Sequence, residues 1–243
     1  MNMRDYNLEY KDDQKRKYAY DFDYIMHNYF IRTFTPFFSG KKALELGCFE
    51  GEFTTKIVML FEDVTVIDAS SQLIEKARIK VDNKAKFILS TFEDVDMNKE
   101  QFDAIFLLHT LEHLSDPITV LKGIKKWLSP QGRLFIAVPN ANAISRQIAV
   151  KMGIVDYNSV VTKDEYMHGH RKTYTLDTLE FDIKQSGLNI VDSGAIFFKP
   201  FANFQFDSMI EHKIIDDAYL EGCFQLGKKY PDFCASVYAV CSC

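Results

Sequence analysis

The 243 residues hold no apolar run approaching the about 20 that a helix needs to cross a bilayer, and the opening Met1-Asn2-Met3-Arg4-Asp5 lacks the apolar core of a signal peptide. A cytoplasmic protein without a membrane span is the expectation. Positive charge is not in excess either: 29 Lys and Arg stand against 34 Asp and Glu, a net charge of -5. That balance supplies no field to hold a phosphate backbone, so nucleic acid is not expected as a partner. Five cysteines (Cys48, Cys223, Cys234, Cys241, Cys243) include no C-x-x-C pair or zinc-ligand spacing, and their odd number argues against a disulfide framework. They read as reduced thiols, mostly packed. No repeat, low-complexity tract or linker divides the chain, so residues 1–243 are read as one domain.

What is present is an ordinary globular balance, 47% hydrophobic and 26% charged. The aromatics are uneven, with Tyr6, Tyr10, Tyr18, Tyr20, Phe22, Tyr24, Tyr29, Phe30, Phe34, Phe37 and Phe38 crowding the first forty positions. From about Asp13 to Phe38 the apolar residues recur at helical spacing, which predicts one or two helices forming a lid over residues 1–40. From Lys41 onward β-rich runs alternate with helical stretches. Strands are expected at Ala43 to Leu46, Val64 to Ile67, Lys86 to Leu89, Phe102 to Leu108 and Arg133 to Val138, with helices at Gly51 to Phe61, Gln72 to Val81 and Asp116 to Leu128. Ser129-Pro130-Gln131-Gly132 is read as the end of the last of these helices. This order predicts an α/β, Rossmann-like, mostly parallel seven-stranded sheet with helices on both faces. Residues 41–140 form its ligand-binding core and 141–174 an insertion after strand five. Residues 175–243 complete the sheet, with a helix at Thr175 to Ser186, strands at Leu188 to Phe198 and Phe233 to Val240, and a helix from about His212 to Lys228.

The most informative stretch is Ala43-Leu44-Glu45-Leu46-Gly47-Cys48-Phe49-Glu50-Gly51, a strand running into a Gly-x-x-x-Gly turn and then a helix. Gly47 lets the backbone turn and a ligand approach, and Gly51 lets the helix start close to the sheet. A dinucleotide fingerprint would have glycine two positions before Gly47, where this chain has Glu45. A carboxylate there suits a positively charged ligand, such as one with an amino group or a sulfonium. Asp68 ends the second strand, about 20 residues on, where folds of this kind hold ribose hydroxyls.

Together with Phe102-Asp103-Ala104-Ile105-Phe106 and Leu111-Glu112-His113-Leu114-Ser115-Asp116-Pro117, these segments resemble class I S-adenosylmethionine-dependent methyltransferases, within them the small-molecule branch of quinone and sugar enzymes. The likeness covers about Lys41 to Leu188. It implies S-adenosyl-L-methionine as cofactor, with Glu45, Gly47, Cys48, Phe49 and Gly51 around its methionine part. Asp68, with Ala69 beside it, would take the ribose, while Thr91, Phe92 and Glu93 would flank the adenine and Leu108 would line the same site. The family often has Asp where this chain has Thr91, which leaves the adenine contacts open.

A sulfonium is already a strong electrophile, so the protein has mainly to align acceptor, methyl and sulfur in a dry pocket. An alcohol acceptor also needs a base, whereas a neutral amine does not. His109, at the end of the fourth strand, and His168 and His170, in the insertion, are the candidate catalytic residues. His113 is read as a support that bonds backbone. No metal is expected, since Leu107-Leu108-His109 lacks the carboxylates of metal-dependent catechol enzymes and His168-Gly169-His170 matches no standard ligand set. Arg146, Lys151, Arg171 and Lys172 are read as a solvated cluster, or as an anchor for an acidic acceptor. The leading reading is transfer to a hydroxyl or amine of a small polar metabolite such as a nucleotide-linked sugar. Alternatives are a quinone-type or phenolic O-methyltransferase, and a non-catalytic cofactor-binding subunit. A homo-oligomer is compatible with all of these.

Overall fold

A computed structural model describes residues 4–10, 17–97 and 100–243. Seven strands form one sheet in the order β3-β2-β1-β4-β5-β7-β6. They are β1 (Lys42–Leu46), β2 (Asp63–Asp68), β3 (Lys86–Leu89), β4 (Phe102–Leu108), β5 (Leu128–Pro139), β6 (Asn189–Phe198) and β7 (Cys234–Ser242). Pairing from β3 through β5 is parallel, and β7 lies antiparallel between β5 and β6.

The strands of the centre are apolar on both sides because both faces are covered, and successive side chains divide between two cores. Leu44, Leu46, Ile105 and Leu107 face one core, built with α5 (Pro117–Lys125) and α8 (Leu176–Gln185). Ala43, Ala104 and Phe106 face the other, built with α2 (Asp21–Phe34), α3 (Glu52–Ile57) and α10 (Asp217–Lys229). Side-chain caps start two of the helices. Ser70 accepts from the amide of Leu73 to start α4 (Ser71–Lys80), and Asp116 accepts from that of Thr119 before Pro117 opens α5.

Several boundaries differ from the sequence reading. Residues 11–16, where the first helix was expected to begin, lie outside the described residues. After the short α1 (Tyr6–Glu9), helix resumes at Asp21, and α2 buries Phe22, Met26, Phe30 and Phe34 at spacing four. The aromatic segment therefore divides into a core helix and a polar stretch that borders the cleft. Helix α3 stops at Ile57 rather than Phe61, and α5 stops at Lys125 rather than Leu128. Ser129 to Gly132 is a bulge inside β5, where the register slips between Phe102 and Ala104. The Phe-rich stretch Phe197 to Phe206 leads into α9 (Asn203–Glu211), which hides Phe206 in the core, and α10 starts at Asp217 instead of His212. Helices α6 (Ile144–Lys151) and α7 (Lys163–Met167) give the insertion its structure. Among the described residues no helix is long and apolar enough to cross a membrane.

Candidate functional site

Strand order reverses between β1 and β4, and in open α/β sheets the crevice beyond the carboxyl ends of strands at such a point receives ligands. A cleft of about 1090 Å3 opens there. Its floor is the loop after β1. Gly47 (φ 82°), Phe49 (φ 47°) and Gly51 (φ 84°) are all left-handed, so the chain reverses within five residues. At the end of β4, His109 is also left-handed (φ 48°). Strained backbone at non-glycine residues on both sides of the switch point marks the two loops that shape the cleft.

Asp68 holds the loop together. Its Oδ2 accepts from the Cys48 amide at 2.9 Å and its Oδ1 from the Ser70 amide at 2.8 Å, leaving lone pairs on the cleft side. Burial nevertheless raises the Asp68 pKa against these backbone donors. Glu45 is buried beneath the loop and accepts from the Thr54 hydroxyl at 2.6 Å. Burial pushes its pKa up to about 8, an effect the Thr54 bond only partly offsets. A cation bound above Glu45 would favour its ionised form, so binding such a ligand near neutral pH releases a proton.

Of the residues expected around a cofactor, Glu45, Gly47, Cys48, Phe49, Asp68, Ala69, Thr91, Phe92, Glu93 and Leu108 line the cleft. Gly51 does not. A Cβ there would sit 2.7 Å from Cα of Ala77, so Gly51 is glycine because α3 starts against α4, not because a ligand or the sheet approaches it. The Thr91 hydroxyl donates to the Asp94 carboxylate at 2.7 Å, which keeps an acid next to the position where the resembling family carries one.

The candidate bases are spread over the opposite wall. His109 lies 3.0 Å from the Ser236 hydroxyl and packs edge-on against Phe30. Burial depresses its pKa to about 3. His168 borders the cleft against Tyr18, 5.4 Å between ring centres, whereas His170 packs against His113 at 4.5 Å. Burial lowers His170 to about 4 and holds His113 well below its ordinary value. The His113 ring makes no hydrogen bond to backbone among the described residues, contrary to the supporting role read from sequence; its carbonyl instead accepts from Arg4 at 2.8 Å. The expected cluster of solvated cations is also replaced by pairs. Arg146 binds Glu165 at 2.6 Å and the Asn158 carbonyl at 2.6 Å, and Lys172 binds Asp182 at 2.6 Å.

Sequence reasoning missed His27, Lys199 and Asn203, all in the cleft wall. Among the described residues His27 Nδ1 is buried without a partner, and burial lowers its pKa to about 4. Lys199 donates to Asn203 at 2.6 Å, and burial lowers its pKa against the pull of Asp23. Nothing local distinguishes these from core or surface residues. Their role comes from α2 and the end of β6 converging on the switch point.

Residues 17–193 match the family model described as a methyltransferase domain. The chain is 28% identical over 145 residues to a ubiquinone biosynthesis O-methyltransferase of Aliivibrio fischeri, covering 58% of this chain and 61% of that protein. It is 26% identical over 180 residues to the Vibrio cholerae protein of the same name, covering 72% of each. The chain thus spans about three fifths of the length of the first of these relatives. Among solved structures, the N-methyltransferase NodS of Bradyrhizobium japonicum bound to S-adenosyl-l-homocysteine superposes with a TM-score of 0.58 at 17% identity, covering 97% of this chain and 94% of that one. The [4+2]-cyclase SpnF superposes at 0.62 with 15% identity, covering 96% and 85%. At these identities the likeness concerns the fold alone.

Proposed function

The chain belongs to the methyltransferase-domain family, with the class I fold of S-adenosylmethionine-dependent enzymes, and on that premise we propose that it methylates a hydroxyl of a small phenolic acceptor. S-adenosyl-L-methionine is the donor. It lies along the β1 loop, with its ribose at Asp68 and its charged methionine end toward Glu45. The observation that carries the reading is that this loop and the His27, His109 and Lys199 wall open into one cleft, so donor and acceptor meet across it.

The acceptor class follows from proton chemistry. Buried imidazoles held near pKa 3 to 4 are weak bases. They cannot take a proton from an alcohol of the sugar type. A phenol ionises near pH 10, several units more readily than an alcohol, and a neighbouring ammonium lowers that further. Lys199 is placed to stabilise such a phenolate, while His109 or His27 accepts a hydrogen bond from the neutral phenol and orients it. The curated relatives are named as O-methyltransferases of ubiquinone biosynthesis, which supports transfer to oxygen. The nucleotide-linked sugar favoured on sequence grounds suits this wall less well.

Incubation with methyl-labelled S-adenosylmethionine and a panel of one catechol, one alkylamine and one nucleotide-linked sugar tests the proposal. Label is expected on the catechol. Label appearing on the amine or the sugar instead would refute the acceptor class.

A further inference from the structure

Glu112 is a buried acid with no visible reason to be there. It is 2% exposed, and among the described residues neither carboxylate oxygen has a hydrogen-bond partner. An orphaned buried carboxyl of this kind is costly and calls for an occupant. Nearby cations do not fill the role. Arg4 and Arg171 are engaged by Glu9, at 2.6 and 3.4 Å, while Arg146 is paired with Glu165 and Lys172 with Asp182.

Two imidazoles converge on the same spot. One donor atom each from Glu112, His113 and His170 lie within 4.8 Å of one another, and all three residues border the cleft. Chain architecture fixes this grouping. Glu112 and His113 are adjacent in the turn of helix at Leu111–His113, and the Glu112 carbonyl accepts from the amides of Arg171 at 2.8 Å and Lys172 at 3.3 Å. That backbone clamp carries His170 over Glu112. A separate void of about 20 Å3, bordered by Glu112 and His170, adjoins the group and is large enough for one water.

We propose that Glu112, His113 and His170 form a binding site for a divalent transition metal of the zinc class, three protein ligands with an open position toward the cleft. Two imidazoles and one carboxylate are a ligand set of catalytic zinc sites, and the mixture of nitrogen with oxygen disfavours calcium and magnesium. Ligand atoms around tetrahedral zinc stand about 3.3 Å apart, given bonds of about 2.0 to 2.1 Å, so side-chain rotation within the cluster has to close the remaining gap. The histidine pair read from sequence, His168 with His170, is not the one used, because His168 points to Tyr18 while His113 takes its place. An acceptor oxygen in the open position would be held and made more acidic. That last role rests on the methyltransferase reading, whereas the metal site itself does not.

The test uses full-length protein stripped with a chelator and titrated with cobalt(II), followed by visible absorption and calorimetry, with zinc as competitor. One cobalt per chain is expected, with d–d bands of a four- or five-coordinate site that zinc abolishes. Glu112→Gln, which preserves shape, and His170→Ala should each weaken binding by at least about 100-fold, since even outer partners of metal ligands are worth 10- to 100-fold. His212→Ala, at an exposed histidine, should leave it unchanged. Absence of saturable one-to-one binding, or wild-type affinity in both variants, would overturn the proposal. S-adenosylhomocysteine titrated into the same samples separates the two readings: its failure to bind alongside normal cobalt binding counts against the cofactor assignment only.

Discussion

Gly47→Val is expected to weaken S-adenosylhomocysteine binding by about 100-fold. Gly47 holds φ at 82°, where a β-branched residue is a steric outlier, and its amide is tied to the Ile67 carbonyl at 2.9 Å. A Cβ would also stand 2.6 Å from Oγ1 of Thr110, whose hydroxyl is fixed by a bond to the Leu108 carbonyl. The free variant can relax this loop, but binding requires the original shape. Restoring it costs about 1 to 3 kcal/mol for backbone strain and a comparable amount for the overpacked side chain, and tenfold in affinity corresponds to about 1.4 kcal/mol. Calorimetry with the product, alongside a melting curve to confirm folding, checks this. Wild-type affinity in the folded variant would remove the loop from the cofactor site.

Asp68→Ala should lower the same affinity by about 1 to 3 kcal/mol, roughly 5- to 150-fold. The substitution deletes the cleft-lining carboxylate proposed to hold the ribose. It also strands the amides of Cys48 and Ser70, so the glycine loop loses its brace. Asp68→Asn keeps one acceptor oxygen and should fall between the two. Unchanged affinity in a folded alanine variant would mean that the ribose is held elsewhere.

The cofactor half of the cleft was legible because its signals are local. A strand, a glycine turn and an acid at the next strand tip occupy fixed offsets along the chain, and ten of the eleven residues expected there border the cleft. Gly51 was misread because sequence shows that a glycine is needed but not which neighbour crowds it; that neighbour is Ala77, 26 residues away. The acceptor half was far less legible. His27 sits on α2 among phenylalanines and resembles a core residue, and Lys199 follows a strand like any surface lysine. Only the packing of α2 against β6 brings them to one cavity. The three histidines picked from sequence border the cleft, but burial lowers the basicity of His109 and His170, and burial of a loop residue has no periodic signature. Helix α9 was missed for a related reason: its Phe-rich segment buries one ring and exposes others, so it lacks a clean apolar stripe.

The claim on which the rest depends is that the β1 loop is built for S-adenosylmethionine rather than a dinucleotide. Glu45 stands where a pyrophosphate loop needs glycine, and a buried carboxyl there opposes an anionic ligand while favouring a cationic one. Titration calorimetry of the wild-type chain with S-adenosylhomocysteine and with NAD compares the two directly. The account predicts micromolar-class binding of S-adenosylhomocysteine and weaker binding of NAD. Tighter binding of NAD would contradict it.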